Sequence, residues 1–320
     1  MQVKAPDRAT AEHQAPAARP ARRPRTAAPR WRSRKIQGLG YAAPTAVFVA
    51  VFFLLPLLLV GQMSLSDWPL LASDQGANAP ENYTDIGDSP LFWPAVRFTL
   101  LYTVIVTVIL LGLALLLALL VQESRPGAGF FRTVYFLPGA LGLASASLLF
   151  WGLYSPTTGP LSRTLEKLGL VDDPVSFLGT PTSALLSTVF LVVWKFAGFY
   201  MLILLVGLQR IPHEVYEAAR MDGASRGQIF RSITLPLLRP SLALSLLLCV
   251  SGSLLAFDQF FVLTKGGPDN STVTVVQLIY REAFQRLNLG TAAALSIVVL
   301  AALLLLNVLQ FRGLRRADES

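Results

Sequence analysis

Few residues in this sequence could perform catalysis. The 320 residues include one cysteine, Cys249, and two histidines, His13 and His213, that lie far apart. A single cysteine cannot form an intrachain disulfide, and no group of Cys and His has the spacing of a zinc site. The phosphate-binding pattern G-x-x-x-x-G-K-[ST] is also missing, so we do not expect ATP to bind this chain through such a loop. The sequence therefore predicts no catalytic residue, no metal ligand and no cofactor in this chain.

Residues 209–240 indicate binding to a partner rather than catalysis. They form a basic connection between two apolar segments. Pro212 suits a helix start, because its missing N–H would be unpaired there in any case. Apolar residues then recur at helical spacing, which predicts a short amphipathic helix over 212–221. Gly223 follows where the chain must turn, since glycine adopts the left-handed conformation without strain.

The same connection continues into a second predicted helix. Ser225 can cap its first turn, and the apolar pattern carries it to about Ile233. Pro236 and Pro240 lack the N–H that a helix interior needs, so we expect them to end this helix before the next apolar segment. The connection thus predicts a helix–turn–helix rather than an unstructured linker.

The first of these helices presents small residues between charged ones. Ala218 and Ala219 lie beside Glu217 and Arg220, with Glu214 one turn earlier. Small side chains permit another surface to approach closely, whereas anionic lipid would repel the acidic groups. These features favour contact with a protein partner, and a helix that simply lies on lipid is the alternative.

The apolar segments on either side of this connection are predicted to be membrane helices. Hydrophobic residues make up 53% of the chain and charged residues only 14%, against about 25% charged residues in soluble domains. A spanning helix needs about 20 mostly apolar residues. Six segments meet this requirement, so the sequence predicts an all-α polytopic membrane protein with spans at about 41–63, 98–121, 133–154, 184–208, 241–263 and 290–311.

Basic residues are distributed unevenly about these spans. Ten of the 27 Lys and Arg lie in the first 35 residues, and five Arg lie in 209–240, whereas 64–96 has five acidic residues and no Lys or Arg. This bias predicts that both termini and the 209–240 connection are cytoplasmic. We divide the chain into a disordered basic tail at 1–37, a membrane domain at 38–311 and a cytoplasmic tail at 312–320. The basic tail is interpreted as an orientation signal that binds membrane lipid, so no nucleic-acid partner is expected.

Polar and aromatic residues within the spans are candidates for a solute path, since ionisable groups in membrane helices usually face the interior. Asp258, Gln259 and Phe260 lie near the outer end of the fifth predicted span. Their carboxylate and amide could hydrogen-bond sugar hydroxyls, and the ring could stack on a sugar face. Lys195, in the fourth span, could snorkel or pair with Asp258, and a structural role is favoured for it.

The 209–240 connection resembles the EAA loop of a known transporter family. This loop is the signature of the membrane (permease) subunits of bacterial binding-protein-dependent ABC importers. Its pattern E-A-A-x3-G-x9-I-x-L-P is filled at every defining position, by Glu217, Ala218, Ala219, Gly223, Ile233, Leu235 and Pro236. The resemblance covers about 38–311, and further motifs resemble the carbohydrate-uptake branch, at 135–138, 257–260, 263–264, 266–268, 279–280, 283–284 and 289–290.

The resemblance implies a six-helix permease fold in the cytoplasmic (inner) membrane of a bacterium. It implies that the seven EAA-loop residues couple this chain to two separate ATPase subunits, which bind ATP and Mg²⁺. A second permease subunit, similar to this chain and forming a heteromeric pair with it, and an extracytoplasmic solute-binding protein would complete the importer. The implied cargo is a mono- or oligosaccharide moved by alternating access. Another solute, such as glycerol-phosphate, polyamine or phosphate, is the alternative, and an integral-membrane transferase is a remote one.

Overall fold

A computed structural model describes residues 41–122 and 127–318. These residues form helices joined by loops, with two isolated β-bridges. They divide into two units after Leu55. Residues 41–55 of the first unit are one apolar helical segment, and the second unit contains the two hydrophobic clusters of the core. The predicted basic tail at 1–37 lies outside the described residues.

We number the helices in chain order. They are α1 (Tyr41–Met63), α2 (Ala79–Asp88), α3 (Phe92–Val121), α4 (Ala128–Phe136, prolonged by a 3-10 turn at Leu137–Ala140), α5 (Leu143–Leu153), α6 (Pro160–Lys167), α7 (Pro181–Gln209), α8 (His213–Met221), α9 (Arg226–Leu254), α10 (Asp258–Leu263), α11 (Val275–Tyr280) and α12 (Leu289–Asp318).

The predicted all-α membrane fold is confirmed. Among the described residues, five helices are long and apolar enough to span a membrane, namely α1, α3, α7, α9 and α12. The pair α4 and α5 makes a sixth when it is counted as one broken span. The side of the membrane on which the termini lie stays a prediction.

Helix α7 is the most enclosed of the spanning helices. In its most apolar window, 61% of the residues are buried, against 33% in α3. Its start is fixed by Thr180, whose hydroxyl accepts the backbone N–H of Ser183 while the Ser183 hydroxyl accepts the backbone N–H of Thr180. Pro181 then occupies the first helical position, where no N–H is needed.

Two glycines of α7 allow neighbouring helices to approach closely. A Cβ added at Gly198 would lie less than 3.0 Å from the backbone of Tyr135 in α4, and one added at Gly207 would lie less than 3.0 Å from the Ser241 side chain in α9. Small residues at helix contacts permit this approach in lipid, where packing rather than water exclusion holds helices together.

The third predicted span is broken rather than straight. Helices α4 and α5 meet at an angle of 93° across Leu141 and Gly142. Lys195 of α7 is only 4% exposed, and its Nζ donates to the carbonyl oxygen of Gly139 at 3.3 Å and to that of Leu141. The ammonium therefore satisfies carbonyls at the break, as backbone inside a membrane requires. Lys195 does not pair with Asp258, so the structural role predicted for it is confirmed.

The boundaries predicted for the fifth span are wrong. Helix α9 begins at Arg226, inside the 209–240 connection, and ends at Leu254. The segment Asp258–Leu263 forms the separate short helix α10. The apolar composition continues across the interruption, which is why hydropathy alone extended the span to residue 263.

Pro236 and Pro240 do not end the helix, contrary to the prediction. A π-helical turn at Phe230–Thr234 precedes Pro236, and the N–H of Leu235 donates to the Phe230 carbonyl five residues earlier. This wider turn shifts the hydrogen-bond register at the point where Pro236 has no N–H to donate. Pro240 lies inside the helix that follows, so α9 runs without a break from the connection into the apolar span.

The packing of α4 on α7 predicts that Gly198→Ala destabilises the fold. The new methyl group would overlap the Tyr135 backbone and push the two helices apart, an overpacking cost of about 1–3 kcal/mol. The matched control is Gly112→Ala in α3, a helical glycine where nothing lies within 4 Å of an added Cβ. We expect the thermal midpoint in detergent, measured by size exclusion after heating, to fall only for Gly198→Ala. Equal losses in both variants would contradict this packing.

Candidate functional site

The predicted helix–turn–helix of the 209–240 connection is confirmed. Helix α8 covers His213–Met221, with Pro212 as the residue before it, Glu214 in its first turn and Arg220 in its last. These charges suit the helix dipole. Gly223 then adopts the left-handed conformation, with φ of +79°.

A second cap starts the helix that follows. The Ser225 hydroxyl accepts the backbone N–H of Gln228, and the Gln228 side chain accepts the backbone N–H of Ser225 at 2.7 Å. This reciprocal capping box fixes where α9 begins. The turn between α8 and α9 is therefore determined by residues within it.

Helix α8 has an outer face that is open and an inner face that packs on the chain. Glu217 and Ala218 are exposed, and Met221 is 88% exposed. On the inner face, the hydroxyl of Tyr216 accepts a hydrogen bond from Thr234 Oγ1 at 3.4 Å. The open face is the part of α8 that a partner could reach.

Ala219 does not belong to the open face, although the resemblance implied a contact role for it. Its side chain is buried, so it is not available on the surface of α8 that a partner could reach. The side chain of Glu217 lies beside His213, whose Nε2 is 3.6 Å from Glu217 Oε1. Both side chains are largely exposed, and such a pair contributes little to stability.

The remaining EAA-loop residues lie within α9 rather than in a loop. Ile233 belongs to the π turn and is half-buried, as is Pro236, whereas Leu235 is exposed. They join the turn after α8 to the span, so their positions fit a mechanical link. Their contact with an ATPase stays a prediction.

The predicted solute-path residues lie around a cavity of about 180 Å³. Asp258 is exposed, Gln259 is buried, and both line this cavity. Phe260 does not line it. Its ring is fully buried and packs edge-on against Phe98 and Tyr102, with ring centroids 5.1 and 4.9 Å apart. The prediction that Phe260 could stack on a solute is therefore wrong, because its faces are covered by protein.

Phe257 is the aromatic residue of this motif that lines the cavity. It is half-buried and begins a row of rings that continues through Phe261 and Tyr280 to the exposed Phe284. Successive ring centroids are 5.0, 4.9 and 5.2 Å apart. The break before α10 positions Phe257, since a continuous helix would place this residue differently.

Tyr102 is a residue of the cavity that the sequence did not single out. Its hydroxyl accepts a hydrogen bond from Gln259 Nε2 at 3.0 Å, and it lines the cavity from α3. Thr99, Tyr102 and Thr103 are buried polar residues at helical spacing in an otherwise apolar run. That spacing is the signal that could have identified this face of α3.

Gln259 also carries an unused acceptor. Its Oε1 is buried and has no hydrogen-bond partner among the described residues. A buried polar atom without a partner is costly. The cavity also has the carboxylate of Asp258 and the ring of Phe257 in its lining, which are groups that bind a polyhydroxylated solute. Among the described residues there is no cluster of metal-ligating side chains.

Comparison with known proteins gives consistent matches over most of the chain. The family model described as binding-protein-dependent transport system inner membrane component matches residues 111–317. The probable ABC transporter permease protein YurN of Bacillus subtilis is 31% identical over 281 residues, which is 87% of this chain and 96% of that protein. The multiple sugar-binding transport system permease protein MsmF of Streptococcus mutans is also 31% identical over 281 residues, or 87% and 95% of the two chains.

A solved structure also resembles this fold. A chain from the crystal structure of a bacterial ABC transporter involved in the import of the acidic polysaccharide alginate superimposes with a TM-score of 0.79 and 26% identity. The match covers 89% of this chain and 98% of that one.

The Gln259–Tyr102 hydrogen bond predicts that Tyr102→Phe destabilises the chain by about 1–3 kcal/mol, because the buried amide N–H₂ group loses its acceptor. Tyr135→Phe is the control, since no hydrogen bond is found for the Tyr135 hydroxyl among the described residues. Thermal unfolding in detergent measures both. A loss in Tyr135→Phe as large as that in Tyr102→Phe would show that the hydrogen bond is not the cause.

Proposed function

Because this chain belongs to the family of binding-protein-dependent transport system inner membrane components, we propose that it is the permease subunit of an ATP-driven sugar importer. It is a multi-pass protein of the cytoplasmic membrane. The observation that carries the sugar assignment is the 281-residue similarity to a sugar permease. The family is one of transport components, which gives no support to the membrane-transferase alternative.

The coupling step is proposed for the open face of α8. Glu217 and Ala218 would contact an ATPase subunit, with Glu217 pairing with a basic group and Ala218 permitting close approach. ATP and Mg²⁺ would bind to two such subunits, because this chain lacks the phosphate-binding loop. Gly223 and the Ser225 cap hold α8 against the start of α9, so a displacement of α8 would act on the span.

The solute cavity supports a second permease subunit as a partner. Its volume of about 180 Å³ is smaller than the roughly 300–1,000 Å³ of typical small-molecule sites. This chain alone would therefore enclose only part of a sugar. A similar subunit facing it would supply the other wall, and an extracytoplasmic binding protein would deliver the solute.

The lining of the cavity favours a sugar over the other cargoes. Among the described residues no Lys or Arg lines it, so it lacks the cations that phosphate or glycerol-phosphate would need. A polyamine would meet a single carboxylate, that of Asp258. A sugar would donate a hydroxyl hydrogen to the Asp258 carboxylate and would pack its C–H face on Phe257.

Charge reversal at Glu217 tests the coupling proposal. In Glu217→Lys we expect the copurifying ATPase to fall by about 100-fold and sugar uptake to be lost with it, since like charges at an interface cost several kcal/mol. Glu166→Lys, which changes another exposed carboxylate on α6 outside the EAA loop, is the control. Unchanged ATPase binding and uptake in Glu217→Lys would refute the role of α8.

Removal of the cavity ring tests the cargo proposal. Phe257→Leu should raise KM for sugar uptake by up to about tenfold, since a ring contact contributes about 0.5–1.5 kcal/mol, and should leave ATPase copurification unchanged. Phe190→Leu, a largely exposed ring of α7 that does not line the cavity, is the control. Transport kinetics of the assembled importer measure both, and an unchanged KM for Phe257→Leu would argue against stacking at this ring.

A further inference from the structure

A second and larger cavity lies beneath the inner face of α8. Its volume is about 910 Å³. It is bounded by the ends of α3 and α7, by α8 and by the start of α9. Its lining is therefore made by the ends of two spans and by the helix proposed to receive the ATPase. The solute cavity is lined by other residues, so the two cavities are distinct.

The charged side chains of this lining are two arginines. Arg220 and Arg226 line the cavity beside His213, and in the described part of the chain no carboxylate lines it. No hydrogen bond or ion pair is found for the guanidinium groups of Arg220 and Arg226 among residues 41–122 and 127–318. The amides of Gln122 and Gln209 add further hydrogen-bond donors. These groups suit a phosphate-bearing anion.

The rest of the lining is apolar. Leu119 and Leu208 lie at the ends of their spans, and Ile211, Ile229 and Phe230 complete the wall. Leu208 and Ile211 are buried. A small inorganic anion would leave this wall uncovered, whereas an anion that carries an acyl chain would cover it.

The basic tails of this chain do not suit the cavity. The first 35 residues carry ten Lys and Arg, and the C-terminal segment carries Arg312, Arg315 and Arg316. Their charges would be repelled by Arg220 and Arg226. An acidic side chain of an ATPase subunit could pair with the arginines but would not use the apolar wall.

We propose that this cavity binds an anionic phospholipid, with the phosphate between Arg220 and Arg226 and an acyl chain along the apolar wall. Basic pockets at the cytoplasmic ends of membrane helices recognise anionic headgroups in this way. The lipid would contact α8 and α9 at once and would stiffen their connection. The binding does not depend on the proposed cargo, whereas an effect on transport rests on the proposed coupling role of α8.

The test measures lipid retention by the assembled membrane complex in nanodiscs of phosphatidylcholine with increasing phosphatidylglycerol. Native mass spectrometry then counts bound phosphatidylglycerol. Arg220→Gln combined with Arg226→Gln should weaken retention about 30-fold, since each basic group near anionic lipid contributes about fivefold. Arg231→Gln, the same change at an exposed arginine outside the cavity, should retain wild-type binding. Lysine at both positions should preserve most of it.

A competition experiment distinguishes the phosphate of a lipid from that of a small soluble molecule. Free glycerol-phosphate should not displace the lipid, because it cannot cover the apolar wall. Equal displacement by glycerol-phosphate would overturn the lipid assignment, as would an equal loss in Arg231→Gln. If the double variant kept its lipid and lost its ATPase, the arginines would serve the ATPase and the proposal would be wrong. Should the double variant not fold, each single variant should weaken retention about fivefold, and unchanged retention in both would also overturn it.

Discussion

The break in the third span is the constraint on which the rest of the structure depends. Within a hydrocarbon layer, a backbone carbonyl without a partner costs on the order of several kcal/mol, so an interruption there must be compensated by protein groups. The ammonium of Lys195 provides this compensation at Gly139 and Leu141. Because Lys195 lies on α7, the same contact holds α4 against the most enclosed span, where Gly198 allows close approach. The bend then brings Leu143 to the wall of the solute cavity.

A continuous helix joins the two functional regions. Helix α9 starts beside α8, where Thr234 contacts Tyr216, and ends at Leu254, next to residues that line the solute cavity. Packed helices move as units rather than deforming smoothly. The π turn at Phe230–Thr234 provides one place where the helix can adjust locally. Movement of α8 would therefore act on the same helix that borders the solute, without any direct contact between the two sites.

The two cavities differ in charge as their proposed occupants require. In the described residues, the solute cavity has one carboxylate, that of Asp258, and no cation, which suits a neutral solute bound by hydrogen bonds and ring contacts. The cavity beneath α8 is lined by Arg220 and Arg226, with no carboxylate among its described lining residues, and it also has an apolar wall.

The sequence by itself determined the features that depend on neighbouring residues. Hydropathy located the apolar spans, and local turn chemistry placed Gly223 and the Ser225 cap, because a cap or a turn needs only residues a few positions apart. The tertiary structure decided the features that depend on distant groups. It showed that Lys195 compensates a broken span, that a π turn carries the helix past Pro236, and that Phe260 is covered by α3. Burial and hydrogen-bond partners of this kind arise when helices far apart in sequence pack together, so no local pattern records them.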